Sequence, residues 1–180
     1  MLNREEQISF FQNLFSTFLG AVLGFIFSII LFHIVEDKKE KKTKKTLIRS
    51  LKKEFEFNIY LLKKLKDDIS KIIEKVNGDN HEIYIYLKYN EFQTFFLQRY
   101  FQLGYMYDNF SPEDISIINN LLNRYNLTMT NLINQKISQW NQKELNKAKL
   151  NNELTTEKDF IEEDIKNLES LYGKIKEEKQ

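Results

Sequence analysis

Two His, His33 and His81, and no Cys make up the entire imidazole and thiol supply of this chain. Without Cys there is no thiol nucleophile, thiolate metal site or disulfide scaffold, and the lack suits a reducing compartment. His33 ends an apolar run and His81 sits in a polar turn, where an imidazole is more often a surface or interfacial group than a base or a ligand. No Gly-rich phosphate loop or metal-spaced cluster accompanies them. The acidic run Glu162-Glu163-Asp164 falls near the start of an expected helix, where the macrodipole accounts for it. Asn126-Leu127-Thr128 matches a glycosylation acceptor, yet the topology argued below places it in the cytoplasm. The sequence therefore predicts a protein that is not an enzyme, with no catalytic or metal-binding residue and no cofactor.

The chemistry that remains is recognition. Lys outnumbers Arg by 23 to 4, a skew better explained by codon usage in an AT-rich genome than by chemistry, so each Arg carries more information than any Lys. Arg99 and Arg124 are the candidate contacts for an anionic ligand, because a guanidinium fork suits phosphate. Glu54 and Asn58, four apart on one helix face, and Tyr125 fall where the apolar stripes point inward. Buried polar groups need partners, so these three are expected to form a structural polar network linking Asn58 to Tyr125.

The first element that must position these groups is a membrane helix. From Ile8 to Val35 there is no Lys, Arg, Asp or Glu, a run long enough for the roughly 20 residues that cross about 30 Å of hydrocarbon. It is too long for the apolar core of a cleaved signal peptide and lacks that signal's basic start. Six Lys lie between Lys38 and Lys45, against a lone Arg4 offset by two Glu. The positive-inside rule then puts a short N-terminus outside and the C-terminal domain in the cytoplasm of a single-pass inner-membrane protein. The same Lys cluster lies against anionic headgroups, making inner-membrane lipids a partner. Ser16, Gly20, Gly24 and Ser28 recur every four residues, a small face on which two helices can approach closely, and so predict membrane-helix association. Asn13 and Thr17, with Gln12 and Ser16, are polar in the outer half and should face protein or water, as glue between helices, as the lining of a pore, or inertly at a shallow depth near the outer interface.

Domain boundaries follow from charge and breakers. Residues 1–37 hold the external N-terminus and the transmembrane helix, and residues 38–180 a cytoplasmic helical bundle. Residues 38–75 carry fourteen basic and six acidic side chains, whereas 76–180 carry twelve and sixteen. No Gly or Pro occurs between Gly24 and Gly78, so the membrane helix continues into a basic stalk helix over 38–76, striped by Leu47, Leu51, Phe55, Asn58, Leu62, Leu65, Ile69, Ile72 and Val76. Gly78 supplies a left-handed stop. His81 to Tyr89 alternates in part, but one strand has no sheet to join and reads as a connector. Asn90 caps a helix over 90–103. Ser111-Pro112-Glu113-Asp114 opens a long helix over 112–150, striped by Ile115, Ile118, Leu122, Tyr125, Met129 and Leu132. Thr156 and Asp159 open the last, over 157–177. The fold class is all-α: one N-terminal transmembrane helix, a stalk and a bundle of about four cytoplasmic helices.

This layout, with Glu54-x-x-x-Asn58, the segment Tyr89-Asn-Glu-Phe-Gln-Thr-Phe-Phe96 and Leu122-Asn-Arg-Tyr125 followed by Asn131, resembles a broad class of small prokaryotic membrane-anchored helical proteins. Some of these are membrane effectors of anti-phage defence of the Hailong and CBASS kind. The resemblance implies a homo-oligomeric effector, with a tetramer suiting one helix per chain, whose cytoplasmic bundle senses a nucleotide or oligonucleotide signal and whose membrane helices form a pore or disrupt the bilayer. The alternative is a non-enzymatic scaffold or accessory subunit that recruits a cytoplasmic protein partner.

Overall fold

In the absence of Gly and Pro from Phe25 to Asn77 nothing interrupts the helical ladder, and the computed structural model carries helix α1 from Arg4 to Asn77. It describes residues 4–175, with side chains from residue 13 on, so the expected external residues 1–3, the side chain of Gln12 and the last two residues of the 157–177 helix lie outside the described residues. The described chain is all-helical and without strands. After α1 come a 3-10 turn at Tyr89–Glu91, then α2 (Phe95–Gln102), α3 (Met106–Asn109), α4 (Pro112–Arg124), α5 (Leu127–Asn141) and α6 (Lys147–Lys174).

The chain divides into two units, Met1–Thr46 and Leu47–Gln180. In the first, every described side chain from Asn13 to Thr43 is exposed, and a stretch near the N-terminus is long and apolar enough to cross a membrane. Exposed Phe, Leu, Ile and Val crowd this stretch, a surface that water alone solvates poorly.

In the second unit the stripe of α1 is buried as its spacing predicts. Leu51, Phe55, Leu62, Ile69, Ile72 and Val76 are all at most 2% exposed, each such side chain contributing about 1.5–3 kcal/mol by leaving water. Their partners include Ile118 and Leu121 of α4, Ile133 and Ile137 of α5, and Leu154, Ile161, Ile165 and Leu168 of α6, all in one core.

Four expected boundaries differ from the structure. The left-handed residue that stops α1 is Asp79 (φ 54°), not Gly78. The Asn80 N–H bonds back to the Lys75 carbonyl and the Asp79 N–H to that of Val76, a Schellman closure that Asp tolerates through its short side chain. Asn90 does not cap α2, which begins at Phe95 with no capping bond from Thr94. The 112–150 helix is two helices, because Tyr125 leaves helical geometry and Asn126 caps α5 by accepting from the Met129 N–H. A second Schellman closure, with Lys143 left-handed at φ 63°, ends α5. Thr156 lies inside α6 with its hydroxyl bonded back to the Asn152 carbonyl; the helix starts ten residues before the expected 157, capped by Asn146. The resulting rotation at Tyr125 leaves Leu132 exposed and buries Thr130 and Ile133 instead. Ser111 and Asp114 form the capping box that the sequence indicates at the start of α4, with Pro112 in its first turn.

Candidate functional site

Glu54 and Asn58 on α1 hold the entry to α2 rather than each other. The Glu54 carboxylate accepts from the main-chain N–H groups of Phe96 (2.7 Å) and Leu97 (2.9 Å). It thus replaces the missing local cap and places a negative charge at the helix N-terminus. Asn58 brackets Gln93, accepting from its N–H at 2.8 Å and donating to its carbonyl at 2.7 Å. Both side chains are buried. Burial raises the Glu54 carboxyl above its usual range, partly opposed by the N–H groups that favour its charged form.

Tyr125 belongs to a different cluster, and no hydrogen bond joins it to Asn58. Its ring stacks on Phe92 at 4.9 Å and on Tyr89 at 6.0 Å, and its hydroxyl donates to Asp164 at 2.7 Å. Burial and the Asp164 carboxylate push this hydroxyl up, so it remains a donor. The same Asp164 oxygen accepts from Arg124 at 3.1 Å, and the guanidinium lies 4.2 Å from the centre of the Phe160 ring. Asp164 is thus mid-helix in α6 and fixed by two donors, which corrects its reading as a macrodipole residue.

Arg99 and Arg124 are not brought together. Arg99 is exposed on α2. Arg124 lines a groove of about 540 Å³ with Asn120, Asn123, Phe160, Glu163, Asp164 and Asn167, and Arg99 is not among its lining residues. Two carboxylates in that groove, one already paired with Arg124, oppose an anion there.

One residue that sequence reasoning passed over, Glu157, completes the interior. Glu157 of α6 is buried beside the Tyr89 hydroxyl, and each bears on the protonation of the other. Burial raises the Glu157 carboxyl, with Arg124 opposing the rise. The only advance sign was its place one turn before Ile161 on the inward stripe.

The connector 80–88 lies along α5, antiparallel to it. Asn141 accepts from the Ile83 N–H (3.1 Å) and donates to the Ile83 carbonyl (2.9 Å). Asn134 does the same for Leu87 (3.0 and 2.7 Å), and the Thr130 hydroxyl accepts from the Tyr89 N–H (2.9 Å). Side chains at 130, 134 and 141, on one face of α5, supply what a neighbouring strand would. His81 stacks on Trp140 at 4.2 Å, and the Trp140 indole donates to the Asn80 carbonyl.

In the first unit, the Thr17 hydroxyl donates to the Asn13 carbonyl and that of Ser28 to the Gly24 carbonyl, both at 2.8 Å. Gly20 and Gly24 have nothing within 4 Å of where a Cβ would stand. Ser16 and the side chain of Asn13 are exposed beside them.

No family model, curated protein or solved structure matches the chain.

Proposed function

We propose that the protein is a homo-oligomeric, single-pass membrane effector, non-enzymatic, of the kind that prokaryotic anti-phage defence employs. Residues 8–35 cross the inner membrane with the C-terminal bundle in the cytoplasm. The bundle responds to a cytoplasmic signal, and the membrane helices respond in turn by forming a pore or disrupting the bilayer. The observation that carries this reading is the apolar stretch of α1. All its described side chains are exposed, while the hydroxyls of Thr17 and Ser28 are satisfied by their own helix, as hydrocarbon demands. The open face at Gly20 and Gly24 offers a second helix close approach.

The test is expression of the full chain with a membrane-potential dye, together with its mass in detergent. Depolarisation and an oligomeric mass are expected; a monomer that leaves the potential intact overturns the effector reading.

The second reading is a scaffold that holds a cytoplasmic protein at the membrane. It is favoured by one observation: Arg124 already gives one guanidinium N–H to Asp164 and its face to Phe160, which leaves this Arg less to offer a nucleotide. Intact potential with a co-purifying partner supports it.

A further inference from the structure

The connector and α2 run back along α1 toward its lower-numbered residues. Tyr86 borders Leu61 and Leu65, Asn58 holds Gln93, and Glu54 holds Phe96 and Leu97. Beyond Glu54, the buried Leu47, Ile48 and Leu51 share one core with Tyr100, Met106 and Phe110. The turn from α2 to α3 therefore lies at the Leu47 end of the second unit, the end through which the chain passes to the Lys cluster and the apolar stretch. Gly104, left-handed at φ 78°, makes that turn. Around it Phe101, Leu103 and Tyr107 are 49%, 37% and 68% exposed, with the rings of Phe101 and Tyr107 6.2 Å apart. Phe101 also borders an apolar groove of about 290 Å³ with Leu97, Met106, Ile118 and Leu122, which extends the patch. From Thr94 to Phe110 the only charged side chains are Arg99 and Asp108. Water solvates such a surface poorly, and exposed apolar patches commonly mark interaction sites.

We propose that Phe101, Leu103 and Tyr107 dock on the inner leaflet of the membrane, as an apolar wedge set into the boundary between headgroups and acyl chains. The tether favours lipid as the occupant. Eleven residues separate Val35 from Leu47, a reach of about 18 Å as helix and about 40 Å fully extended. This end of the unit therefore stays close to the bilayer at a high effective concentration. The headgroup layer takes up about 5–7 Å of that reach, and an ordinary helix tilt of about 20° brings one side of the unit nearer still. The side-chain chemistry agrees, because aromatic rings and Leu with few charges are what interfacial anchors present. Arg49 and Arg99, exposed in the same part of the unit, suit anionic headgroups beside the wedge. In an assembly whose copies share one orientation, every copy presents this end to the same leaflet, whatever the subunit number. The inference rests on the membrane-spanning reading and gives the cytoplasmic unit its own hold on the bilayer.

The chain has no Cys, so one introduced thiol carries one environment-sensitive dye. Full-length chains carrying Leu103→Cys, Ser138→Cys or Phe25→Cys are labelled and reconstituted in bilayers of mixed zwitterionic and anionic phospholipid. Matched bilayers contain lipid with a nitroxide quencher either near the headgroup or deep in the acyl chain. Ser138 is exposed on α5, two residues before the Trp140 that bonds Asn80 at the other end of the unit, and serves as the reference. The Leu103 dye should shift to the blue and lose emission to the shallow nitroxide, while the Ser138 dye does neither. Phe101→Ser with Tyr107→Ser, both at exposed positions, should return the Leu103 dye to the Ser138 values with helicity unchanged; a dye still quenched in that variant overturns the wedge. The Phe25 dye reports the span through the deep nitroxide. Quenching of Phe25 with an unshifted, unquenched Leu103 overturns the docking alone, whereas an unquenched Phe25 overturns the membrane reading and the docking with it. A blue-shifted Leu103 dye that no nitroxide lipid quenches puts protein over the patch, a second copy or a partner, and overturns lipid as the occupant. Loss of the quenching at about 1 M salt, where the Debye length is about 3 Å, would show that charge alone holds this end to the membrane and also overturns the wedge.

Discussion

Asn134 of α5 brackets Leu87, taking its N–H at 3.0 Å and giving to its carbonyl at 2.7 Å. One side chain thereby satisfies two main-chain groups beside a fully buried Leu. Asn134→Ala orphans both and should cost about 2–6 kcal/mol at roughly 1–3 kcal/mol per group. Asn134→Asp keeps the acceptor and loses the donor, and should fall between. Urea unfolding of the full chain in detergent checks the order, and an Ala variant within 0.5 kcal/mol of wild type, on the order of an ordinary surface change, contradicts the bracket.

Glu54 should matter locally as well as globally. Glu54→Ala removes both acceptors at the start of α2, so a loss of about 2–4 kcal/mol is expected. Amide exchange at Phe96 and Leu97 should rise more than in the rest of the helix. Uniform loss of protection would show that the cap is incidental.

The pH dependence has two limbs of opposite sign. The Lys174 ammonium, with hydrogen bonds at 2.6 and 2.9 Å, holds the Asp114 carboxyl below its usual value. Its contribution is complete above the unfolded pKa and is lost as pH falls through the lower folded one. Glu54 and Glu157 are raised by burial. The folded state then holds their protons longer, so their contribution is greatest below the unfolded pKa and declines as pH rises through the folded values. Glu157→Gln should flatten that decline and leave the chain more stable near neutrality than wild type. Melting temperatures across a pH series test this, and an unchanged slope would show that Glu157 does not titrate in that range.

Arg99 and Arg124 should separate. Arg124→Gln removes the ion pair to Asp164 and the stack on Phe160, and should lower stability by about 1–3 kcal/mol. Arg99→Gln, on the surface, should change stability by less than about 0.5 kcal/mol. Calorimetry with cyclic nucleotides and short oligonucleotides then asks about the signal. Loss of binding in Arg99→Gln with stability unchanged supports an anionic contact, and absence of binding by wild type favours the scaffold.

Gly20 and Gly24 give the membrane prediction. Changing both to Leu adds bulk on a face now open and should reduce the oligomer in detergent and any depolarisation. An unchanged mass and potential would remove this face from the assembly.

The sequence by itself determined the long first helix, its apolar stretch and the buried stripe from Leu47 to Val76, because these depend on local periodicity and on the absence of breakers. It also placed Glu54, Asn58 and Tyr125 inward, for the same reason. The tertiary structure alone decided their partners. Nothing local joins Glu54 to Phe96 and Leu97, or Tyr125 and Arg124 to Asp164 some 40 residues away. The breaks at Tyr125 and Lys143 escaped notice because neither carries Gly or Pro; Asn126 as a cap was the one local sign. The connector shows the same division. Partial alternation from His81 to Tyr89 marked a connector, but only packing against α5 could show that it is extended and that Asn side chains complete its hydrogen bonds. Asn134 and Asn141, seven apart on a helix, and Ile83 and Leu87, four apart in an extended segment, meet only in three dimensions.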